Sequence, residues 1–166
     1  MTKTPPAPPP IQCHHLKQTS LSYSQESLWF LQQLDPGNIA YNSNYQIRIT
    51  GGIDRHIMEQ ALNVLVRRHE SLRTTFPNQG GKPVQVIRPF EAFSIPFEDF
   101  SGLPEDELEQ VIHHYISKLG NQPFDLQKGP IIRFALLHNA QKLDTLFFSI
   151  HHISFGNNFR TSATAA

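Results

Sequence analysis

The chain has 166 residues and a mass of 18.9 kDa, room for one ordinary domain and too little for two. Fourteen basic and fourteen acidic side chains cancel, so the basic stripe that binds phosphate backbones is not expected and no nucleic-acid partner is indicated. One cysteine, Cys13, excludes an internal disulfide and a multi-cysteine zinc site. Apolar runs are only a few residues long, against the ~20 of a membrane span, so no membrane association is expected and the expected location is cytoplasmic.

Residues 1–17 hold five prolines within the first ten positions and few bulky side chains, which predicts an extended, disordered tail or linker. Cys13, His14 and His15 lie in it, without the fixed geometry a metal site needs. From Leu21 the pattern changes. Ser22 is placed to cap a helix reaching Gln33, with Leu28, Leu31 and either Trp29 or Gln32 at helical spacing, and Asp35, Pro36 and Gly37 stop it. Tyr45 to Thr50 alternates as a strand with Tyr45, Ile47 and Ile49 on one face. A second helix is predicted from about Asp54 to His69, carrying Ile57, Ala61, Leu62, Leu65 and Val66 as its apolar stripe.

Leu72 to Phe76 and Lys82 to Arg88 flank a turn with Gly80 and Gly81 and predict a hairpin. A third helix is expected from about Pro104 to Leu119, with Glu105, Asp106 and Glu107 near the positive end of its dipole. Ile131 to Leu137 and Leu143 to Ile150 read as paired strands, the second running into His151 and His152. Alternating helices and strands place the fold in the α/β or α+β class. The domain is expected over 18–156, with 157–166 a divergent tail that lacks a core pattern.

Adjacent strand residues point to opposite faces, so only one of His151 and His152 can enter a given site, and the pair cannot share a metal ion. An imidazole there can move a proton near neutral pH, although a histidine pair at a strand end more often serves structure. His113 and His114 sit one residue apart on a helix and do not converge. Arg73, beside a half-buried strand, calls for a carboxylate that spacing alone does not name. There is no P-loop, dinucleotide-binding glycine fingerprint or G-x-S-x-G elbow.

Three segments carry a resemblance. Leu21, Ser22, Tyr23, Ser24, Gln25, Glu26, Ser27, Leu28, Trp29, Phe30 and Leu31 are similar to S-x-A-Q-x-R-L-W-x-L, with Ser24 and Ser27 departing from it. Residues Arg68 to Phe76 match R-H-E-x-L-R-T-x-F at every specified position. His151, His152 and Gly156 resemble H-H-x-x-x-D-G without the aspartate: read ungapped, Gly156 and Asn157 replace the Asp and Gly, and with one deletion Phe155 replaces the Asp. Pro123 to Leu126 and Gly129 to Arg133 add to the likeness, which covers about Leu21 to Gly156.

In this order the segments resemble the N-terminal part of condensation domains of nonribosomal peptide synthetases. That resemblance implies a half-domain of the chloramphenicol-acetyltransferase-like fold, an α+β two-layer sandwich with helices packed on a mixed sheet. It implies transfer of an aminoacyl or peptidyl group from a carrier-protein thioester to an acceptor amine, forming an amide, with His152 as the catalytic residue and His151, Arg68 and Arg73 supporting. The family's Asp pairs with the arginine at Arg68, and here that carboxylate is missing, so Arg68 is expected either to turn to solvent or to sit beside a distorted loop. No cofactor or metal is expected on the chain itself; phosphopantetheine arrives on peptidyl or acyl carrier proteins. Further partners implied are a complementary C-terminal half or neighbouring synthetase domains, because the resemblance accounts for one half of a pseudodimer and makes the chain a truncated condensation domain. Two other expectations follow from the missing Asp and the tail: a noncatalytic interaction module, or a frameshifted gene remnant.

Overall fold

The computed structural model describes residues 18–139 and 143–155. The tail predicted over 1–17, with Cys13, His14 and His15, and the segment from Gly156 onward, lie outside them. In chain order the elements are β1 (Gln18–Ser20), α1 (Tyr23–Leu34), β2 (Asn42–Thr50), α2 (Arg55–Arg68), a 3-10 turn (Glu70–Arg73), β3 (Thr74–Thr75), β4 (Asn78–Gln79), β5 (Lys82–Ile87), β6 (Phe97–Asp99), α3 (Glu105–Gly120), β7 (Ile132–His138), β8 (Leu143–His151) and a 3-10 turn (His152–Ser154). One sheet has the order β2-β8-β7-β6, antiparallel except for the parallel β6–β7 pair. A smaller antiparallel sheet is built on β5, which pairs β1, β3 and β4.

The larger sheet is mixed and helix-covered, as the α/β class requires, and the two-layer expectation is refined to helix, sheet and helix. The reason lies in β7 and β8, whose side chains are buried on both faces. Phe134, Leu136, Leu146 and Ile150 pack with Leu62 and Val66 of α2 on one side. Ala135, Leu137 and Phe147 pack with Ile116 of α3 on the other. Two neighbouring buried strands with no polar face need a cover on each side. A third cluster, with Trp29, Phe76, Phe124, Ile131 and Ile153, ties α1 to the end of β8.

α1 begins as expected at Ser22, whose side chain accepts from Gln25 N–H while the Gln25 side chain accepts from Ser22 N–H, a reciprocal capping box. Its buried residues are Trp29 and Gln32, with Leu28 half-buried, whereas Leu31 is exposed: the stripe turns toward the indole, whose Nε1 donates to Phe76 O at 2.9 Å. In β2 the alternation is interrupted because Ile47, expected inside, is exposed. On α2, Leu62 and Val66 are buried but Ile57, Ala61 and Leu65 face out, so the contact with the sheet is narrower than the apolar stripe.

The strand predicted from Leu72 begins two residues later. Leu72 N–H donates to His69 O, and Thr74 Oγ1 reaches back to Glu70 O at 2.8 Å, holding Glu70–Arg73 in a 3-10 turn before the chain extends. Composition did not mark β1 or β6, each three residues long and so too short for a periodic pattern.

Candidate functional site

β8 carries the histidine pair to the point where the strand ends. His151 closes the strand opposite Asn42 of β2, and His152 opens the 3-10 turn, so the pair straddles an element boundary instead of lying within one strand. His151 is fully buried, edge-on to Phe124 with ring centroids 6.0 Å apart and tilted against Tyr41 at 6.3 Å. Its Nδ1 accepts from Ile153 N–H at 3.2 Å, which leaves the proton of the neutral ring on Nε2. Nε2 is buried without a hydrogen-bond partner among the described residues, as are Asn42 Oδ1 and Ser149 Oγ. Burial pushes the His151 pKa from 6.5 down to about 4, and the neighbouring His152 adds to the depression. At neutral pH His151 is therefore an uncharged packing residue that orders the turn after it.

His152 is half-buried, its backbone N–H donating to Tyr41 O at 2.8 Å and its ring edge-on to Phe155 at 4.9 Å. The imidazole makes no hydrogen bond to any described residue, so both nitrogens remain available to an incoming group. Ser154 Oγ donates to His151 O at 3.0 Å and Ile153 is buried, so the His152 imidazole is the polar side chain of the turn that no described residue engages by a hydrogen bond. Two clefts, of about 790 and 830 Å³, open elsewhere on the surface, and His152 lines neither.

Two residues that sequence reasoning did not single out hold this turn. Gln25 Nε2 donates to Ile153 O at 3.2 Å, so the side chain that closes the α1 capping box also anchors the 3-10 turn. Tyr41 receives the His152 N–H through its carbonyl. The signal for Gln25 was present as the third residue after a capping serine; a backbone carbonyl such as that of Tyr41 leaves no mark in a sequence.

Arg68, at the C-terminus of α2, is exposed and pairs with no carboxylate among the described residues. The solvent-facing arrangement is thus the one adopted. Arg73 finds its carboxylate one turn back: Nη2 donates to Glu70 Oε1 at 3.0 Å and Nη1 to Arg88 O at 2.6 Å, while its buried Nε has no partner among the described residues. Arg73 therefore fastens the 3-10 turn to the end of β5. His113 and His114 are exposed on α3. Among the described residues no group of three or more His, Cys, Asp or Glu is placed to hold a metal ion, and no helix is long and apolar enough to cross a membrane.

The chain is thus a mixed sheet flanked by helices, with a histidine pair at the end of one inner strand. The family profile described as the condensation domain matches residues 16–155. The chain is 39% identical over 145 residues to chondramide synthase cmdD of Chondromyces crocatus, covering 87% of this chain and 4% of that protein. It is also 36% identical over 135 residues to phosphinothricin tripeptide synthetase PhsC of Streptomyces viridochromogenes, covering 81% of this chain and 12% of that protein. The starter condensation domain of rhizomide synthetase RzmA superposes with a TM-score of 0.75 at 27% identity, over 82% of this chain and 34% of that one. The chain belongs to the condensation-domain family of nonribosomal peptide synthetases. It spans about a third of the solved domain and only a small part of either synthetase.

Proposed function

We propose that this chain supplies the histidine-bearing part of an amide-forming acyl transfer between two carrier-bound substrates. The amine nitrogen of the acceptor attacks the carbonyl carbon of the donor thioester, the carbon–sulfur bond breaks, and the donor's phosphopantetheine thiol leaves as the amide forms. His152 is the catalytic residue. Its unengaged imidazole can take the amine proton, or hold the amine and the developing oxyanion by hydrogen bonds. The observation that carries the reading is the turn itself: a buried neutral His151 and Gln25 fix the backbone around a half-buried His152 whose ring is free.

Carrier proteins are the partners in this reading, and α1 favours such docking. Tyr23, Phe30 and Leu34 are exposed on the helix that touches the histidine turn. The experiment is amide formation between two loaded carriers, followed by intact-protein mass spectrometry with wild type and His152→Ala. Equal product from both overturns the role of His152. A second reading, a docking module without catalysis, draws on Arg68 meeting no carboxylate among the described residues. It is tested by calorimetry with a carrier protein, and absence of heat removes it.

A further inference from the structure

In the larger sheet the edge of β7 that faces β6 is only partly paired. β6 pairs with β7 only at Leu136–His138. Pro96 explains where that pairing stops: its C=O accepts from Leu136 N–H at 2.9 Å, but proline has no N–H to offer the C=O of Phe134. His151 N–H reaches Ile131 O at 3.0 Å, so odd-numbered residues of this strand pair toward β8 and even-numbered ones point away. The N–H and C=O groups of Ile132 and Phe134 therefore face the side that β6 has vacated, and no described residue pairs with them there. This edge forms one wall of the cleft of about 790 Å³, whose apolar lining includes Val66, Leu72, Phe93 and Ile95.

The charge of the cleft is one-sided in a chain that is neutral as a whole. Arg73, Arg88, Lys128 and Arg133 line it, against the single acid Glu91. Arg73 is answered by Glu70 at 3.0 Å and Lys128 by Asp125 at 3.8 Å. Arg133 spends both Nη atoms on the carbonyls of Gln122 and Pro123 and meets no carboxylate among the described residues. Arg88 donates only Nε, to Thr75 Oγ1 at 3.0 Å, which leaves its two Nη atoms without a partner among the described residues.

We propose that this cleft binds an extended acidic peptide segment of a partner polypeptide, which adds as a strand to β7 at Ile132–Phe134 and places a carboxylate on Arg88. Strand addition satisfies the four idle backbone groups at once, and alternation puts apolar side chains against Val66 and Phe93 while acidic ones face the arginines. A helical ligand would bring no free N–H or C=O to the edge. The site is separate from His152 and does not depend on the acyl-transfer reading.

The test is fluorescence anisotropy of the whole chain with a labelled hexapeptide of alternating valine and glutamate, against the same peptide with lysine for glutamate. The expected result is saturable binding of the acidic peptide alone, weakened by salt and at least about tenfold weaker with Arg88→Glu. Methylating the peptide's alternate amide nitrogens keeps its charge and is expected to abolish binding. Amide exchange at Ile132 and Phe134 should slow on binding while that at Arg133 and Ala135 does not change; circular dichroism confirms that the Arg88 variant is folded. Absence of saturation, equal binding by Arg88→Glu, equal binding of the methylated peptide, or unprotected Ile132 and Phe134 amides would each overturn the proposal.

Discussion

Acidification should loosen this fold through one residue, His151. In the unfolded chain its imidazole titrates at 6.5, and in the fold at about 4. The unfolded state thus binds more protons between these values, and stability rises with pH across that window. The contribution is fully present above pH 6.5 and is lost as pH falls toward 4. Two and a half pKa units correspond to about 3 kcal/mol in all, of which about 2 kcal/mol has gone by pH 5. That is a large share of the ~5–15 kcal/mol that holds a small domain together. The perturbation is His151→Leu, which keeps an apolar group between Phe124 and Tyr41 but cannot titrate. Urea unfolding at pH 7 and pH 5 of both proteins provides the assay, and subtracting one pH effect from the other cancels the remaining histidines. The wild type should lose about 2 kcal/mol more than the variant between the two pH values. An identical loss would refute the assignment of His151 as a neutral buried residue.

Other consequences are equally direct. Gln25→Ala removes the donor to Ile153 O and half of the capping box, so unfolding free energy should fall by about 1–2 kcal/mol, with faster amide exchange at Ile153 to Phe155. Asp144 is buried, with Oδ2 accepting from Ile53 N–H at 2.6 Å and Oδ1 at 2.6 Å from His138 Nδ1. Asp144→Ala should therefore cost about 3 kcal/mol in chemical unfolding, and Asp144→Asn about 1 kcal/mol because an acceptor for Ile53 remains. Trp29→Phe leaves Phe76 O without its indole donor in a buried cluster and should lower stability by about 1–3 kcal/mol, read by thermal unfolding.

Much of the architecture was legible because its elements are long and strongly patterned. Ser22 and Gln25, Asp54 ahead of α2, and the apolar runs of β7 and β8 each signal their element locally. What stayed hidden depends on distant partners. Ile47 and Leu65 look like core residues in their periodicity, yet the core on this side takes Met58, Leu62 and Val66 from α2 and Tyr45 and Ile49 from β2 and leaves those two exposed. The turn at Glu70–Arg73 is set by hydrogen bonds to His69 and Glu70 carbonyls, which delay the start of the strand from Leu72 to Thr74. The histidine pair was recognisable, but its division into a buried neutral His151 and a half-buried His152 follows from the strand ending between them. The carboxylate of Arg73 turned out to be local, at Glu70, while Arg68 met none among the described residues.

The turn at His152 is proposed to serve amide formation once the rest of a condensation domain surrounds it. The most direct measurement replaces the matching segment of chondramide synthase cmdD with residues 18–155 of this chain, and follows amide formation from two loaded carriers in single turnover. The chimera should form product, and His152→Ala within it should slow product formation by at least about 100-fold. A chimera that makes no product, or one whose rate is the same with alanine at position 152, would overturn the role proposed for His152.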